Sequence, residues 1–274
     1  MSQVNSHQQL AVERDCHVHT RLCHHAEGEM AEYVQAALQK GLKGLVFLEH
    51  FETGINYFEP TWLNDDDFAL YFEQGLRLRE EYRGRLEIGL GVEVGYNPGR
   101  INEIREFLSR YSWDLIGLSY HYYEHEGRHI NMLSHKGQNM AEFSVIGVEK
   151  VIGDYLRGLL EGLRQLPVNV VCHLDAALRH HKEVNFKEEH IELIQLILSE
   201  IAARGLALEI NTSGFVHRGE PYPKKWIIRQ ALKMGIRTTV GSDAHRPAEV
   251  GRYFERLNPW LLQFNNKRDA VTGV

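Results

Sequence analysis

Two pairs of metal-capable side chains, each with a one-residue gap, stand near opposite ends of the chain: His17-Val18-His19 and Asp243-Ala244-His245. On a strand, residues i and i+2 point the same way, so each pair can aim two ligands at one point. Cys16 and Val18 then face the other way, into packing. Further groups follow between the pairs: His24 and His25, Glu49-His50, Glu93 within Gly91-Val92-Glu93-Val94-Gly95, His121 after Ser119-Tyr120, Cys172-His173-Leu174-Asp175, and Glu209-Ile210-Asn211. Imidazoles and carboxylates in this proportion suit Zn²⁺, Mn²⁺ or Fe²⁺ over Ca²⁺ or Mg²⁺, which prefer oxygen shells. A catalytic zinc takes about three protein ligands, so this many candidates imply two or three divalent ions. Glu93, flanked closely by glycines, is the candidate carboxylate to bridge two of them. Glu49 alternates away from His50 and is expected to be structural, and His180 and His181 to be solvated.

The elements that must position these groups are legible as an alternation. Strand-like runs at Ala11–Thr20, Leu42–His50, Leu86–Tyr96, Trp113–His121, Val168–His173, Leu206–Asn211 and Ile236–Ser242 are separated by segments of helical period. Those segments are Met30–Lys40, Asp66–Arg83, Ile101–Arg110, Ser144–Arg164, Glu188–Arg204 and Tyr222–Met234. Glycine stands just past Lys40, Arg204 and Met234, as at helix stops. This pattern runs without a composition break and predicts one α/β domain over 1–274, a parallel barrel of the β/α type with an ordered core of roughly 11–262. An open doubly wound sheet is the alternative, but no G-x-G-x-x-G loop follows the first strand. In parallel barrels the carboxyl ends of the strands form the active face, and every expected strand delivers a polar group to that end. The tail after Trp260 is expected to be disordered.

At 274 residues the chain can bury a large core, and its 43% hydrophobic and 25% charged residues are ordinary for a globular protein. The formal net charge of −6, with no Lys/Arg block, argues against nucleic acid or anionic membrane as partner. It leaves room for a small phosphorylated substrate. No apolar run reaches the length of a membrane helix, and the first residues lack the order of a secretory signal. Three cysteines, Cys16, Cys23 and Cys172, make no disulfide framework and read as small buried hydrophobes. The cytoplasm is the expected compartment.

The string His17-Val18-His19-Thr20, followed by Cys23-His24-His25-Ala26-Glu27-Gly28, resembles the opening motif of the PHP (polymerase and histidinol phosphatase) superfamily, and within it the monofunctional histidinol-phosphate phosphatases. Glu49-His50, Gly91-Val92-Glu93, Cys172-His173-Leu174-Asp175, Glu209-Ile210-Asn211-Thr212-Ser213-Gly214 and Gly241-Ser242-Asp243-Ala244-His245 follow in family order. The resemblance covers roughly residues 13–255. It implies a single distorted (β/α)7 barrel and a trinuclear site. His17, His19, Glu93 and Asp243 would hold one metal; Glu93, His121 and His173 a second; His25, His50 and His245 the third, with His25 preferred to His24. Arg179 and Arg218 would grip substrate phosphate, the alternative for each being a surface salt bridge. The implied reaction is metal-dependent hydrolysis of L-histidinol phosphate, with Glu93, Asp243 and His245 as catalytic candidates. Asp243 or a nearby histidine would supply the leaving-group proton. Another small phosphate ester, such as a nucleotide or sugar phosphate, or an amidohydrolase reaction, are the alternatives. The segment Tyr122-Tyr123-Glu124-His125-Glu126-Gly127-Arg128-His129 departs from the family's short apolar stretch. It falls where substrate would be read.

Overall fold

The computed structural model describes residues 10–181 and 185–262. Among these, seven parallel strands form one sheet: β1 (Arg14–Val18), β2 (Gly44–Phe51), β3 (Glu87–Gly95), β4 (Leu115–Ser119), β7 (Val170–Val171), β8 (Ala207–Asn211) and β9 (Arg237–Gly241), neighbours in that order. Strands β5 (Tyr122–His125) and β6 (Arg128–Asn131) make a separate antiparallel hairpin. Helices α1 (Met30–Gln39), α2 (Asp65–Glu81), α3 (Ile101–Ser109), α4 (Gly137–Ile146), α5 (Val148–Gln165), α6 (Glu188–Ala203), α7 (Gly214–Arg218), α8 (Lys225–Lys233) and α9 (Phe254–Leu262) fill the connections. None of the described helices is long and apolar enough to cross a membrane.

The sheet curls until its first and last strands meet. Asp243 N–H donates to His17 O and His19 N–H to Ala244 O, both at 2.9 Å, and Val18 and Ala244 form a parallel bridge. The result is a nearly closed barrel, as the alternation of elements predicts. Central strands buried on both faces should read as near-continuous apolar runs. β3 does so, with Leu90, Val92 and Val94 buried. Helix starts follow their chemistry: the Asn64 side chain accepts from Asp67 N–H at 3.0 Å while Asp67 accepts from Asn64 N–H at 3.1 Å, a reciprocal cap on α2.

Three features depart from the sequence-based expectation. The helix expected over Ser144–Arg164 is two helices, broken at Gly147, whose φ of +96° no L side chain adopts readily. The strand expected to reach His121 ends at Ser119, and the chain turns into the β5–β6 hairpin, which tertiary docking stabilises. His129 N–H donates to Asn56 O and Asn56 N–H to His129 Nδ1, so the hairpin is anchored on the β2–α2 loop. The tail after Trp260 begins as the last turn of α9, through Leu262; from residue 263 on it lies outside the described residues.

Candidate metal centre

The carboxyl ends of the strands bring His17, His19, Glu93, His121, His173 and Asp243 together, all buried. A bulge in β1, where Asp15 and Val18 pair with Leu45 and Phe47, adds a residue to the strand without separating the first pair of histidines. Their Nε2 atoms lie 2.9 Å apart, while Val18 packs into the core and Cys16 is half-buried. His50 on β2 is in register with Glu93 on β3, and their Nδ1 and Oε2 atoms are 2.9 Å apart. At the other end Asp243 and His173 adopt positive φ, +52° and +25°. Backbone strain of this kind costs about 1–3 kcal/mol per residue and gathers at functional sites. Arg252 sustains the turn at Asp243 by donating to the carbonyls of Ser242 (2.9 Å) and Asp243 (3.0 Å).

The groups fall into overlapping sets. His17, His19 and Asp243 point ligand atoms at one space, with Asp243 Oδ1 3.4 Å from His19 Nε2. Glu93 stands beside it, Oε2 lying 3.4 Å from His17 Nε2. The other oxygen of Glu93, Oε1, lies 2.8 Å from His173 Nε2 and 3.3 Å from His121 Nε2. His25 and His245 face each other at 2.8 Å between Nε2 atoms, and His50 lies near both. His50 also stacks on His19, 4.1 Å between centroids, so it joins the third set to the first two. His24 instead turns outward to Asp67.

Imidazole nitrogens facing one another around a carboxylate fit metal ions. Both oxygens of Glu93 are buried with no hydrogen-bond partner, in the midst of His17, His50, His121 and His173. An unpartnered buried polar atom is costly, and convergent lone pairs are satisfied when an ion sits between them. The electrostatics agree. Burial opposes the Glu93 charge, but His121, His17, His50 and His173 outweigh it and hold the carboxyl well below the usual range. Asp243 is likewise held low against burial, by the hydrogen bond from His19 and by surrounding imidazoles. Burial and neighbouring imidazoles push His19 well below its ordinary value, so it is a neutral ligand in waiting. His17 and His121 go the other way: burial disfavours their charge, yet carboxylates reverse it, raising His17 well up and His121 to about 10.

Of the carboxylates behind those two histidines, sequence placed Glu209 at a strand end without giving it a role and did not single out Glu52. Glu209 Oε1 lies 2.6 Å from His17 Nδ1, and its Oε2 accepts from His173 N–H at 2.8 Å. Glu52 Oε1 lies 2.8 Å from His121 Nδ1. A carboxylate on the far nitrogen fixes the tautomer and ring angle of a ligating histidine. The i+2 spacing of Glu52 from His50 was the available signal. Glu49, expected to be structural, accepts from Thr20 N–H at 2.9 Å. Asp15 is buried and accepts from Ser242 N–H (2.9 Å) and Gly251 N–H (2.7 Å), tying β1 to the loop that carries Asp243. Cys172 and Cys23 are buried and Cys16 half-buried; burial raises all three thiols, Cys16 to about 12.

The ligand sets open into a cleft of about 610 Å³, within the range of small-molecule sites. Arg179 lines it, 3.8 Å from Asp243 Oδ2, with a buried Nε that has no hydrogen-bond partner. Arg218 does not line it. Its guanidinium is bidentate to Asp175 (2.9 and 3.1 Å) and lies over the Tyr222 ring, in a salt bridge that is buried and not on the surface as the alternative had it. His180 and His217 do line the cleft, and His180 Nε2 lies 3.1 Å from Leu133 O, so it is half-buried at the wall and not free in solvent. His181 is buried against Phe143.

Comparison with known proteins gives a consistent set of similarities. The PHP domain family matches residues 15–213, and a PHP-associated family matches residues 227–257. A protein of Deinococcus radiodurans named "Probable histidinol-phosphatase" is 32% identical, covering 88% of this chain and 89% of its own length. The histidinol-phosphatase of Bacillus subtilis is 30% identical, covering 88% of this chain and 97% of its own. A histidinol phosphate phosphatase from Lactococcus lactis, solved in complex with zinc, L-histidinol and phosphate, superposes with a TM-score of 0.74 at 21% identity. It covers 92% of this chain and 93% of that one.

Proposed function

The chain belongs to the PHP family, and we propose that it is a histidinol-phosphatase: a metal-dependent phosphoric monoester hydrolase that converts L-histidinol phosphate and water to L-histidinol and phosphate in histidine biosynthesis. The observation that carries the reading is the convergence of strand-end imidazoles on the unpartnered oxygens of Glu93, beneath a cleft that holds a guanidinium. His17, His19, Glu93 and Asp243 are the residues to hold one divalent ion, Glu93, His121 and His173 a second, and His25, His50 and His245 a third. The zinc in the Lactococcus lactis enzyme supports zinc among the candidates, with manganese and iron.

Bound divalent ions supply Lewis acidity toward a phosphoryl oxygen and acidify water for attack at phosphorus. The chain's own residues do the rest. Arg179 presents guanidinium N–H groups beside Asp243, where they would hold phosphate oxygens and offset charge that grows on them. Glu209 and Glu52 orient His17 and His121. Asp243 is held ionised, which suits it to ligation over proton donation. In this reading the chain is a single domain that acts in the cytoplasm. Metal analysis coupled to phosphate release from a panel of L-histidinol phosphate, nucleotide and sugar phosphates is the test. Fastest release from L-histidinol phosphate is expected; no release from any monoester would remove the phosphatase reading.

A further inference from the structure

One part of the cleft wall is built from two segments that pack on each other. In the β2–α2 loop the residues alternate: Tyr57, Glu59 and Thr61 line the cleft and are half-buried, while Phe58 and Pro60 point out to solvent. In the hairpin, Tyr122 is paired with Asn131, and both line the cleft, whereas the next pair, Tyr123 and Ile130, is buried in the core. The rings of Tyr57 and Tyr122 meet edge to face, 5.2 Å between centroids, and Trp62 backs Tyr122 at 5.5 Å. The hydroxyls are already engaged. Tyr122 Oη lies 2.6 Å from Thr61 Oγ1, and Tyr57 Oη accepts from Asn139 Nδ2 at 2.9 Å. What these residues offer the cleft is therefore ring surface held at a fixed angle.

The wall also abuts the ligand sets. Tyr122 directly follows His121, and the loop returns to β2 through Leu63 N–H donating to His50 O at 3.1 Å. The cleft is thus lined both by the Arg179 guanidinium and by the rings of Tyr57 and Tyr122. A phosphate ester lodged by its anion at Arg179 and the ligand sets would have these rings available to its alcohol.

We propose that Tyr57 and Tyr122 form the subsite that selects the alcohol, favouring phosphate monoesters whose alcohol carries a flat heteroaromatic ring such as imidazole. This rests on the phosphatase reading and names the specificity of that site. Aromatic pairs reward offset or edge-on stacking against another flat ring, which an aliphatic alcohol cannot supply.

The metal-loaded enzyme is to be assayed with L-histidinol phosphate and with 2-aminoethyl phosphate, which keeps the ammonium and the phosphate but has no ring. The wild type is expected to prefer the first. Tyr57→Leu should lower the ratio of the two kcat/KM values by about tenfold, the size of one well-placed aromatic pair, chiefly through KM for L-histidinol phosphate. Tyr57→Phe, which keeps the ring and loses the hydroxyl bond to Asn139, should retain the ratio. Equal losses on both substrates in Tyr57→Leu, an unchanged ratio, or a Tyr57→Phe that behaves like leucine would each overturn the subsite. A wild type without preference would overturn it too while leaving the phosphatase reading intact. No turnover of either ester would remove both.

Discussion

Replacing Glu209 with glutamine tests whether the carboxylate behind His17 prepares it as a ligand. In the wild type, Oε1 faces His17 Nδ1 at 2.6 Å, and Oε2 accepts from His173 N–H at 2.8 Å and from Asn211 Nδ2 at 3.2 Å. Glutamine keeps the shape but has one acceptor oxygen and one NH2. With the oxygen toward His17, the NH2 opposes the His173 amide, two donors face to face. With the oxygen toward His173, the NH2 points at His17 Nδ1, which must then accept. That tautomer carries its proton on Nε2, the atom 3.4 Å from Glu93 and 3.9 Å from Asp243, and a protonated nitrogen cannot ligate. Loss of such a carboxylate partner costs about 10–100-fold in metal affinity, or about 1.4–2.7 kcal/mol. Only the first orientation carries the cost of facing donors, about 1–3 kcal/mol; the second carries the wrong tautomer instead. We expect the upper end, near a hundredfold, at the ion held by His17, with a parallel loss of activity at limiting metal. Titration against a competing chelator, with circular dichroism to establish an unchanged fold, measures it. Affinities within about threefold of wild type at every site, against that expected range, would refute the reasoning.

Four further variants and one binding measurement separate the parts of the site. His17→Ala with His19→Ala should abolish phosphate release while leaving a folded barrel, and near-normal turnover in the double variant would contradict the proposed centre. Arg179→Ala should lower kcat/KM about a hundredfold with little change in stability. Arg218→Ala should instead destabilise the fold by about 3 kcal/mol in denaturant, because it strands Asp175, a buried carboxylate, without its cation. Gly95→Ala would place a Cβ within 1.8 Å of Glu52 Oε2. It should displace that carboxylate from His121 and weaken metal binding about tenfold; unchanged affinity would deny Glu52 its orienting role. Metal uptake near neutral pH should release protons, because His121 is pushed up to about 10 in the metal-free protein and must lose its proton to ligate. Affinity therefore rises with pH up to that value; calorimetry in buffers of different ionisation enthalpy reads the proton count, and zero release would contradict it.

What sequence alone determined is what local chemistry and period determine. The alternation of apolar runs and helical segments fixes seven parallel strands, because each run buries both faces and each helix must cover one. The i, i+2 spacing then places His17 with His19 at one side of the closure; Asp243 and His245 share the other side, but past the end of β9, where Asp243 has a positive φ and strand alternation no longer applies. Glu93 carried its own signal in the glycines around it. Even the departure after His121 was visible as a change in composition, though not as a hairpin, since β5 and β6 are held by Asn56 and by the core under Tyr123 and Ile130.

Tertiary structure decided everything that depends on which distant side chain arrives. Glu209 lies 192 residues from His17, and Glu52 69 residues from His121, separations at which no spacing rule applies. Arg179 and Arg218 are the same residue type, one in the segment after β7 and the other at the end of α7. One lines the cleft because Asp243 faces it, and the other is drawn to Asp175 and the Tyr222 ring. His24 and His25 are adjacent, and a left-handed turn at His24 sends one to Asp67 and the other to His245. Periodicity says which face of an element is buried. The charges and rings that meet there are set by barrel closure, because desolvation makes each buried polar atom depend on the partner that the closed fold brings to it.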